Sequence, residues 1–569
     1  MPPIALEGRY RGAAGPNLLT APDTLPRTAL RKGGARLREF RVARRFPDNT
    51  GRSEGSVPVP VCPGITGIRR EKRGLRFGTP AFFRIFTPLI TRKAMKQILV
   101  FAAAVAVLAG CAKKKAPVHP EWTYGSVVYE VNVRQFSPEG TFAGVEAQLP
   151  RLKDLGVDVL WLMPMYEIGT EGRKGTLGSY YAISDYKKVN PEFGTMADFE
   201  HLLAAAHEQG FKVILDWVAN QTAPDNVWMT SQPADFYERD SLGNAIWEYD
   251  WTDTRSLNYE NEDVWRAQDD AMRFWLEKGV DGFRCDAAGE VPAEFWKGIL
   301  PKMNKDYPEI YLLAEAERDN LADATETFDA NYAWELHHLL NGLAQGSRTV
   351  QDLKDYVARD AARFPKEAYR LTFTSNHDEN SWSGTEFERE GAAANACAVL
   401  CFTLPGSQPL IYTGQEIGLD RRLEFFEKDP ITDWSANEYT AFWKKLVDLK
   451  HDNPALAAGE RGGALAYLEA PEGVIAFSRE VKGNKVIVIA NFGIPVPAEP
   501  VAEAALAEAN DNRPSGDAVA VPFLNLQAEA VPFTVNLDGK YTEHFTGDVY
   551  PKGKAGFVLA PGDFIVLTK

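Results

Sequence analysis

After residue 120 the chain repeats one pattern: an amphipathic helix, a glycine, then a short apolar run. "VEAQLPRLKDLG" leads into "VDVLWLMPM", "TMADFEHLLAAAHEQG" into "FKVILDWVAN", and "EDVWRAQDDAMRFWLEKG" into "VDGFRCDAA". The helices carry apolar residues at the 3.6 period, and Gly156, Gly210 and Gly279 stand where a left-handed cap ends each one. Thr195 and Asp198 give the second helix a capping-box-like start. The apolar runs read as buried strands, and helices between buried strands imply a parallel sheet. Further runs lie near 127–136, 310–317, 327–336, 369–378 and 409–416. The pattern predicts eight strands over roughly 330 residues, which fits a (β/α)8 TIM barrel. A doubly wound open sheet is the alternative, but no Gly-rich phosphate fingerprint follows the first strand.

From about Leu456 the texture changes to short β segments. "GVIAFSREVKGNKVIVIANFG" predicts two strands around a Gly-Asn turn, and the last 23 residues predict more. A C-terminal antiparallel β-sandwich domain over 453–569 follows, with an Ala/Pro/Glu-rich loop at 495–530. The barrel is assigned to 122–452. It carries a short insertion after strand three, 221–262, rich in aromatic residues: Trp228, Phe236, Tyr237, Trp247, Tyr249 and Trp251. Some of these are expected to face a ligand and the rest to pack the insertion.

The net charge is −15, which argues against a nucleic-acid partner. The total hides an asymmetry, because residues 1–94 carry +13 and the remainder −28. Residues 1–94 are Arg-, Pro- and Gly-rich without helical or strand period. At Met95 a signal-peptide pattern begins: Lys96, an apolar run from Ile98 to Ala109, then "LAGC". The run is too short for a stable membrane span. It resembles the lipobox of bacterial lipoproteins, which implies lipid on Cys111, an exported protein anchored to a membrane, and a polar tether over 111–121. Met95 is then the expected start, with 1–94 a mis-called upstream extension. Cys62, Cys111, Cys285, Cys397 and Cys401 show no metal spacing, and Cys397 and Cys401 are expected as buried thiols on one helix face.

Within "VDGFRCDAAGE" the residues Arg284 and Asp286 lie on one face of a strand. Two buried opposite charges cost several kcal/mol in desolvation, and a structural ion pair is the plain explanation. The other acids change it. Asp216, Asp286, Glu315 and Asp378 all fall at the C-terminal ends of predicted strands, and in a barrel those ends meet at one mouth. Their spacing fits whole βα units plus one insertion. Carboxylates in excess over cations are poor structural pairs but suit acid–base chemistry, and paired carboxylates suggest glycosyl transfer. A divalent-metal hydrolase is the competing chemistry, but only His377 lies at the rim.

Four motifs then make the chain similar to the α-amylase family of glycoside hydrolases (family 13) over roughly 122–569: "DWVANQ", "GFRCDAA", "LLAEAE" and "FTSNHD". The resemblance implies Asp286 as nucleophile, Glu315 as general acid/base and Asp378 as transition-state stabiliser. It implies substrate contacts from Arg284, His377, Tyr181, Asp216 and Gln221. Gln221 stands where the family usually has His. Gly289 and Glu290 stand where many relatives have Lys-His. Asn220 matches a calcium ligand, so a structural calcium is a candidate, with no cofactor required for the chemistry. Arg284 is expected to keep Asp286 ionised, while the site of Glu315 raises its pKa. The implied activity is retaining hydrolysis of α-glucosidic bonds in starch, glycogen or maltooligosaccharides. An exo-acting α-glucosidase, a transglycosylase, or a non-catalytic binding or transport-accessory protein are the alternatives.

Overall fold

The computed structural model describes residues 118–494 and 530–569. The proposed signal segment, Cys111 and most of the 495–530 loop lie outside the described residues.

Eight parallel strands close into a barrel. They are β1 (Val128–Val131), β2 (Val159–Leu162), β3 (Lys212–Val218), β4 (Gly282–Asp286), β5 (Tyr311–Ala314), β6 (Ala330–Tyr332), β7 (Tyr369–Thr372) and β8 (Ser407–Tyr412). Neighbours in sequence are neighbours in the barrel, and β1 closes it by pairing with β8. All eight predicted strands are present, and the open-sheet alternative is excluded. The sixth is shorter than its predicted run, because Trp334 already begins a helix, Trp334–Gln345.

The period of two sorts each strand. Val128, Val159, Trp161, Ile214, Leu313, Tyr332, Leu371 and Leu410 fill the barrel interior. Tyr129, Leu160, Val213, Trp217, Phe283, Cys285 and Leu312 face the surrounding helices. Arg284 therefore points inward with Asp216, its register partner across β3 and β4. Gly282 is required where β4 begins. Its φ is +152°, and a Cβ there would lie 1.9 Å from the Tyr311 carbonyl oxygen on β5.

The helix punctuation holds. Gly156, Gly210 and Gly279 adopt positive φ, and Thr195 and Asp198 form a reciprocal capping box. Cys397 and Cys401 are buried in the helix Ala394–Thr403.

The C-terminal part is a six-stranded antiparallel sheet with a two-stranded ribbon, Val531–Leu537 with Gly553–Leu559. Alternation again assigns the faces. Val474, Ala476, Ile487 and Ile489 pack on the ribbon's Phe533, Val535 and Phe557. Ile475, Phe477, Val486 and Val488 join the core around the barrel helices. The predicted Gly-Asn turn is displaced by one residue. Val481 pairs with Asn484, so Lys482 and Gly483 make the turn, both at positive φ as a two-residue hairpin requires.

The predicted tether also needs correction at its end. His119 is buried, bonding Asp329 Oδ1 through Nδ1 (2.7 Å) and the Glu367 carbonyl through Nε2 (2.8 Å). The folded body thus includes residues 119–121.

Candidate active site

Glu130 is the one charge in β1, and the strand's alternation turns it inward at the barrel mouth. Asp216 comes from β3, Arg284 and Asp286 from β4, and Glu315 follows β5 directly. Asp378 was expected at the end of β7 but lies six residues beyond it, in the loop. His377 beside it reaches back to bond Glu130 through Nδ1.

Arg284 is the centre of the arrangement. Its side chain and that of Asp216 are 0% exposed. Nη1 donates to Asp216 Oδ1 (2.8 Å) and Asp286 Oδ1 (3.1 Å), and Nε donates to the Tyr332 hydroxyl (3.2 Å). Nη2 lies 2.9 Å from Glu315 Oε2, an ion contact without an aligned hydrogen bond. The guanidinium also sits over Trp161, 4.9 Å from the ring centroid, and Trp161 Nε1 donates to Asp216 Oδ2 (3.2 Å). One cation is thus shared among three carboxyls.

That sharing overturns the expected division of charge. Burial is the largest influence on Asp286 and pushes its pKa well up. Arg284 opposes it, but Glu315, Asp216 and Asp378 add repulsion, so the net direction stays upward. Burial also raises Glu315. There Arg284, the Ala287 amide, His377 and the neighbouring Asp286 outweigh it and hold Glu315 below the usual carboxylate value. The Ala287 N–H donates to Glu315 Oε2 (2.9 Å) from a backbone at φ +43°, a conformation rare for a residue with a side chain. Both directions are the reverse of the expectation.

His377 is held as a cation. Burial lowers its pKa, but Asp378 and Glu130 outweigh burial and push it up to about 9. Its Nε2 lies 2.7 Å from the Tyr181 hydroxyl, which donates to Asp216 Oδ2 (3.0 Å). The two rings are nearly parallel, 21° apart with centroids at 5.4 Å. Gln221 Nε2 points at Asp286 Oδ2 (3.4 Å), and its buried Oε1 has no protein partner. All the predicted contacts around the acids are thus gathered at one mouth. Asp378 is the most open of the acids, with its side chain 38% exposed.

Asn220, the candidate calcium ligand, stands beside Glu248. Its amide donates to Glu248 Oε2 (3.1 Å). Among the described residues no group of three or more His, Cys, Asp or Glu is placed to hold a metal.

The aromatics of the insertion divide into buried and exposed rings. Phe236 and Tyr237 are buried, and Trp228 stacks on Tyr186 at 4.7 Å. Tyr249, 69% exposed and at φ +48°, lies edge-on to Trp251 at 4.8 Å. At Gly289, a Cβ would stand 3.1 Å from Arg318 Nε, so the loop after β5 covers the position that lacks a side chain.

Glu130, Trp161 and Tyr332 belong to the site and were not predicted. A lone glutamate inside the four-residue buried strand "VYEV" was the available signal for Glu130. Trp161 and Tyr332 look like ordinary core residues in sequence. The hairpin Tyr166–Ile168 with Ile183–Val189, which presents Tyr181, was also not predicted. Elsewhere a surface cavity of about 480 Å³ is lined by Asp185, Lys187, Trp228, Arg266 and Asp270 among others, and no acid of the mouth lines it.

A closed (β/α)8 barrel with clustered acids at the C-terminal ends of its strands defines a class of enzyme scaffold. Residues 119–453 match the family model for the α-amylase catalytic domain, and the chain belongs to that family. It is 32% identical over 400 residues to the α-amylase MalA of Haloarcula japonica, covering 68% of this chain and 58% of that protein. It is 26% identical over 394 residues to an oligo-1,6-glucosidase of Heyndrickxia coagulans, covering 55% and 70%. Among solved structures, an α-amylase from Lactobacillus plantarum superposes with a TM-score of 0.64 at 30% identity, covering 79% of this chain and 99% of that one.

Proposed function

We propose that the protein is a retaining glycosidase that hydrolyses α-glucosidic bonds in starch, glycogen or maltooligosaccharides. The observation that carries this is the closeness of two carboxyls. Asp286 and Glu315 share one guanidinium, Arg284 Nη1 lying 3.1 Å from Asp286 Oδ1 and Nη2 2.9 Å from Glu315 Oε2. Inversion needs room for a water between the pair, whereas retention needs the carboxyls close.

The glucosyl unit at the cleavage point lies on Tyr181. His377, Asp378 and the free Gln221 Oε1 take its hydroxyls. Asp286 attacks C1, the C1–oxygen bond to the leaving sugar breaks, and Glu315 gives its proton to that oxygen. Glu315 then takes a proton from water, the water oxygen bonds C1, and the ester to Asp286 breaks. This sequence needs the proton on Glu315 at the start. The incoming sugar oxygen draws Glu315 away from Arg284 and the Ala287 amide. Glu315 then becomes the more basic of the pair and carries the proton. Arg284, freed of one carboxylate, stabilises the ionised Asp286.

Product analysis on starch, pullulan and maltooligosaccharides tests the reading. Release of new reducing ends supports it, and their absence on all three overturns it. Export with lipid on Cys111 belongs to the same proposal and is supported by the sequence of 95–111. A Cys111→Ala variant should appear soluble in the export compartment with its activity intact. A variant that stays on the membrane contradicts the anchor.

A further inference from the structure

Glu130 lies out of reach of any ligand. Its side chain is 0% exposed, on a strand flanked in register by Trp161 of β2 and Tyr412 of β8. A buried carboxylate costs several kcal/mol in desolvation unless its charge is matched. One oxygen bonds His377 Nδ1, and the other has no hydrogen-bond partner in the protein. So costly a group resting on a single side-chain contact needs an explanation that core packing does not give.

The explanation lies in what faces the other side of the His377 ring. Nε2 is 2.7 Å from the Tyr181 hydroxyl and 3.5 Å from Asp378 Oδ2. The proton of that hydroxyl points at Asp216 Oδ2 (3.0 Å), which also accepts from Trp161 Nε1 (3.2 Å). The second Asp216 oxygen accepts from Arg284 Nη1 (2.8 Å). Asp216 therefore accepts on both oxygens, and the Tyr181 oxygen is left to accept from Nε2. Both nitrogens of His377 then face acceptors. A neutral imidazole has one N–H and serves only one of them, whereas an imidazolium serves both. If the ring were neutral with its proton on Nδ1, Nε2 would become an acceptor and draw the Tyr181 proton away from Asp216.

We propose that Glu130 is a positioning residue for the cleavage: its buried carboxylate keeps His377 doubly protonated, which holds the Tyr181 hydroxyl on Asp216 and presents a charged N–H where the sugar hydroxyls arrive. This rests on the glycosidase reading above. Glu130 touches neither the sugar nor the reacting atoms and acts through His377. The other charges facing the ring are Asp378 beside it, Asp216 on β3, Arg284 on β4 and Glu315 after β5. Trp161 and Phe425 meet the ring without charge. Tyr332 on β6 and Tyr412 on β8, near Glu130, stay protonated, chiefly through burial. Burial raises Glu130 itself, with the His377 charge opposing it first and Arg284 next, so each member of the pair keeps the other charged.

Two measurements on the full-length protein test this. The first is NMR titration with labelled histidine rings. The chain has eight histidines, and the signal lost in His377→Gln identifies the ring in question. Wild-type His377 should titrate near pH 9. In Glu130→Gln, which keeps the shape and an accepting oxygen but drops the charge, the midpoint should fall by about one unit or more. Glu130→Asp keeps the charge and should titrate between the two. The second is the pH profile of kcat/KM for α-maltosyl fluoride. Fluoride leaves without a proton, so ionisation of Glu315 does not set the alkaline fall. That fall should move with the His377 midpoint in each protein. Above both midpoints Glu130→Gln should lie about tenfold or more below the wild type, each relative to its own optimum. A wild-type ring titrating at about 6.5 or below, or a midpoint unchanged in Glu130→Gln, overturns the proposal. So does an alkaline fall that stays in place while the midpoint moves. A wild type that releases no fluoride overturns the glycosidase reading and with it the role in cleavage, while the ring titration still decides whether Glu130 holds the charge.

Discussion

The two ends of one barrel each hold a buried histidine bonded to a carboxylate, and they differ in what is left over. Near the start of β6, His119 bonds Asp329, whose other oxygen accepts the Leu312 amide (2.8 Å). The second ring nitrogen of His119 reaches the Glu367 carbonyl, and the ring stacks on Tyr369 at 4.1 Å. Every polar atom of that pair is used. At the mouth, His377 bonds Glu130, but Glu130 Oε2, Gln221 Oε1 and Arg284 Nη2 are buried without a hydrogen-bond partner. Buried polar groups are normally paired, because an unpaired one costs about 1–3 kcal/mol. The closed pair stabilises. The cluster at the mouth keeps polar atoms that the protein itself does not pair.

Substitutions at the two ends should therefore separate activity from stability. The largest effect belongs to Asp286→Asn, which should lower kcat by at least about 10⁴-fold with little change in melting temperature. The amide keeps the shape and removes a repelling carboxylate, but it cannot form the glycosyl ester. Measurable wild-type turnover in that variant would erase the distinction between the ends. Arg284→Met should cost about 3–5 kcal/mol in denaturant unfolding, because Asp216, Asp286 and Glu315 lose the cation they share. His119→Ala should cost about 1–3 kcal/mol and leave kcat unchanged, since the groups that lose a partner, Asp329 and the Glu367 carbonyl, lie away from the mouth. A kcat loss there would show that the lower pair also serves the chemistry.

The effect of pH sharpens the same contrast. Burial lowers His119, but the bond to Asp329 and its charge outweigh it, and the pKa is raised. Both histidines therefore titrate above their unfolded value of about 6.5. Each contributes stability in full below that value and loses it as the pH rises through its folded pKa. For His377 the loss extends to about pH 9. Melting temperature followed from pH 6 to 10 should fall along this course. His119→Ala should remove only its own share and leave the alkaline part of the decline. The smallest effect is that of Tyr332→Phe, about 0.5–1.5 kcal/mol in unfolding free energy for the single bond to Arg284 Nε.

The barrel was legible because each strand sorts its residues by a period of two and each helix ends at a cap, signals confined to a few neighbouring residues. The acids were legible for a related reason: a charge at the end of an apolar run is conspicuous, as at Asp286 and Glu315. Contacts across the barrel were not. Nothing local says that Glu130 bonds His377, 247 positions away, or that Trp161 donates to Asp216. The direction of the pKa shifts was misjudged for the same cause. Adjacency in "FRCD" suggested that Arg284 serves Asp286, whereas the fold brings Asp216 and Glu315 to the same guanidinium from two other strands. Asp378 was placed at the end of β7 because "FTSNHD" reads as one extended run, while the strand stops at Thr372.

The central claim is that two close carboxyls at the open end carry out a double displacement. Proton NMR of the first sugar released from a maltooligosaccharide, recorded before mutarotation equilibrates the anomers, tests it directly. Two successive inversions at C1 return the starting configuration, so the account predicts the α-anomer. Initial release of the β-anomer would contradict it, and Asp286 could then not be the nucleophile.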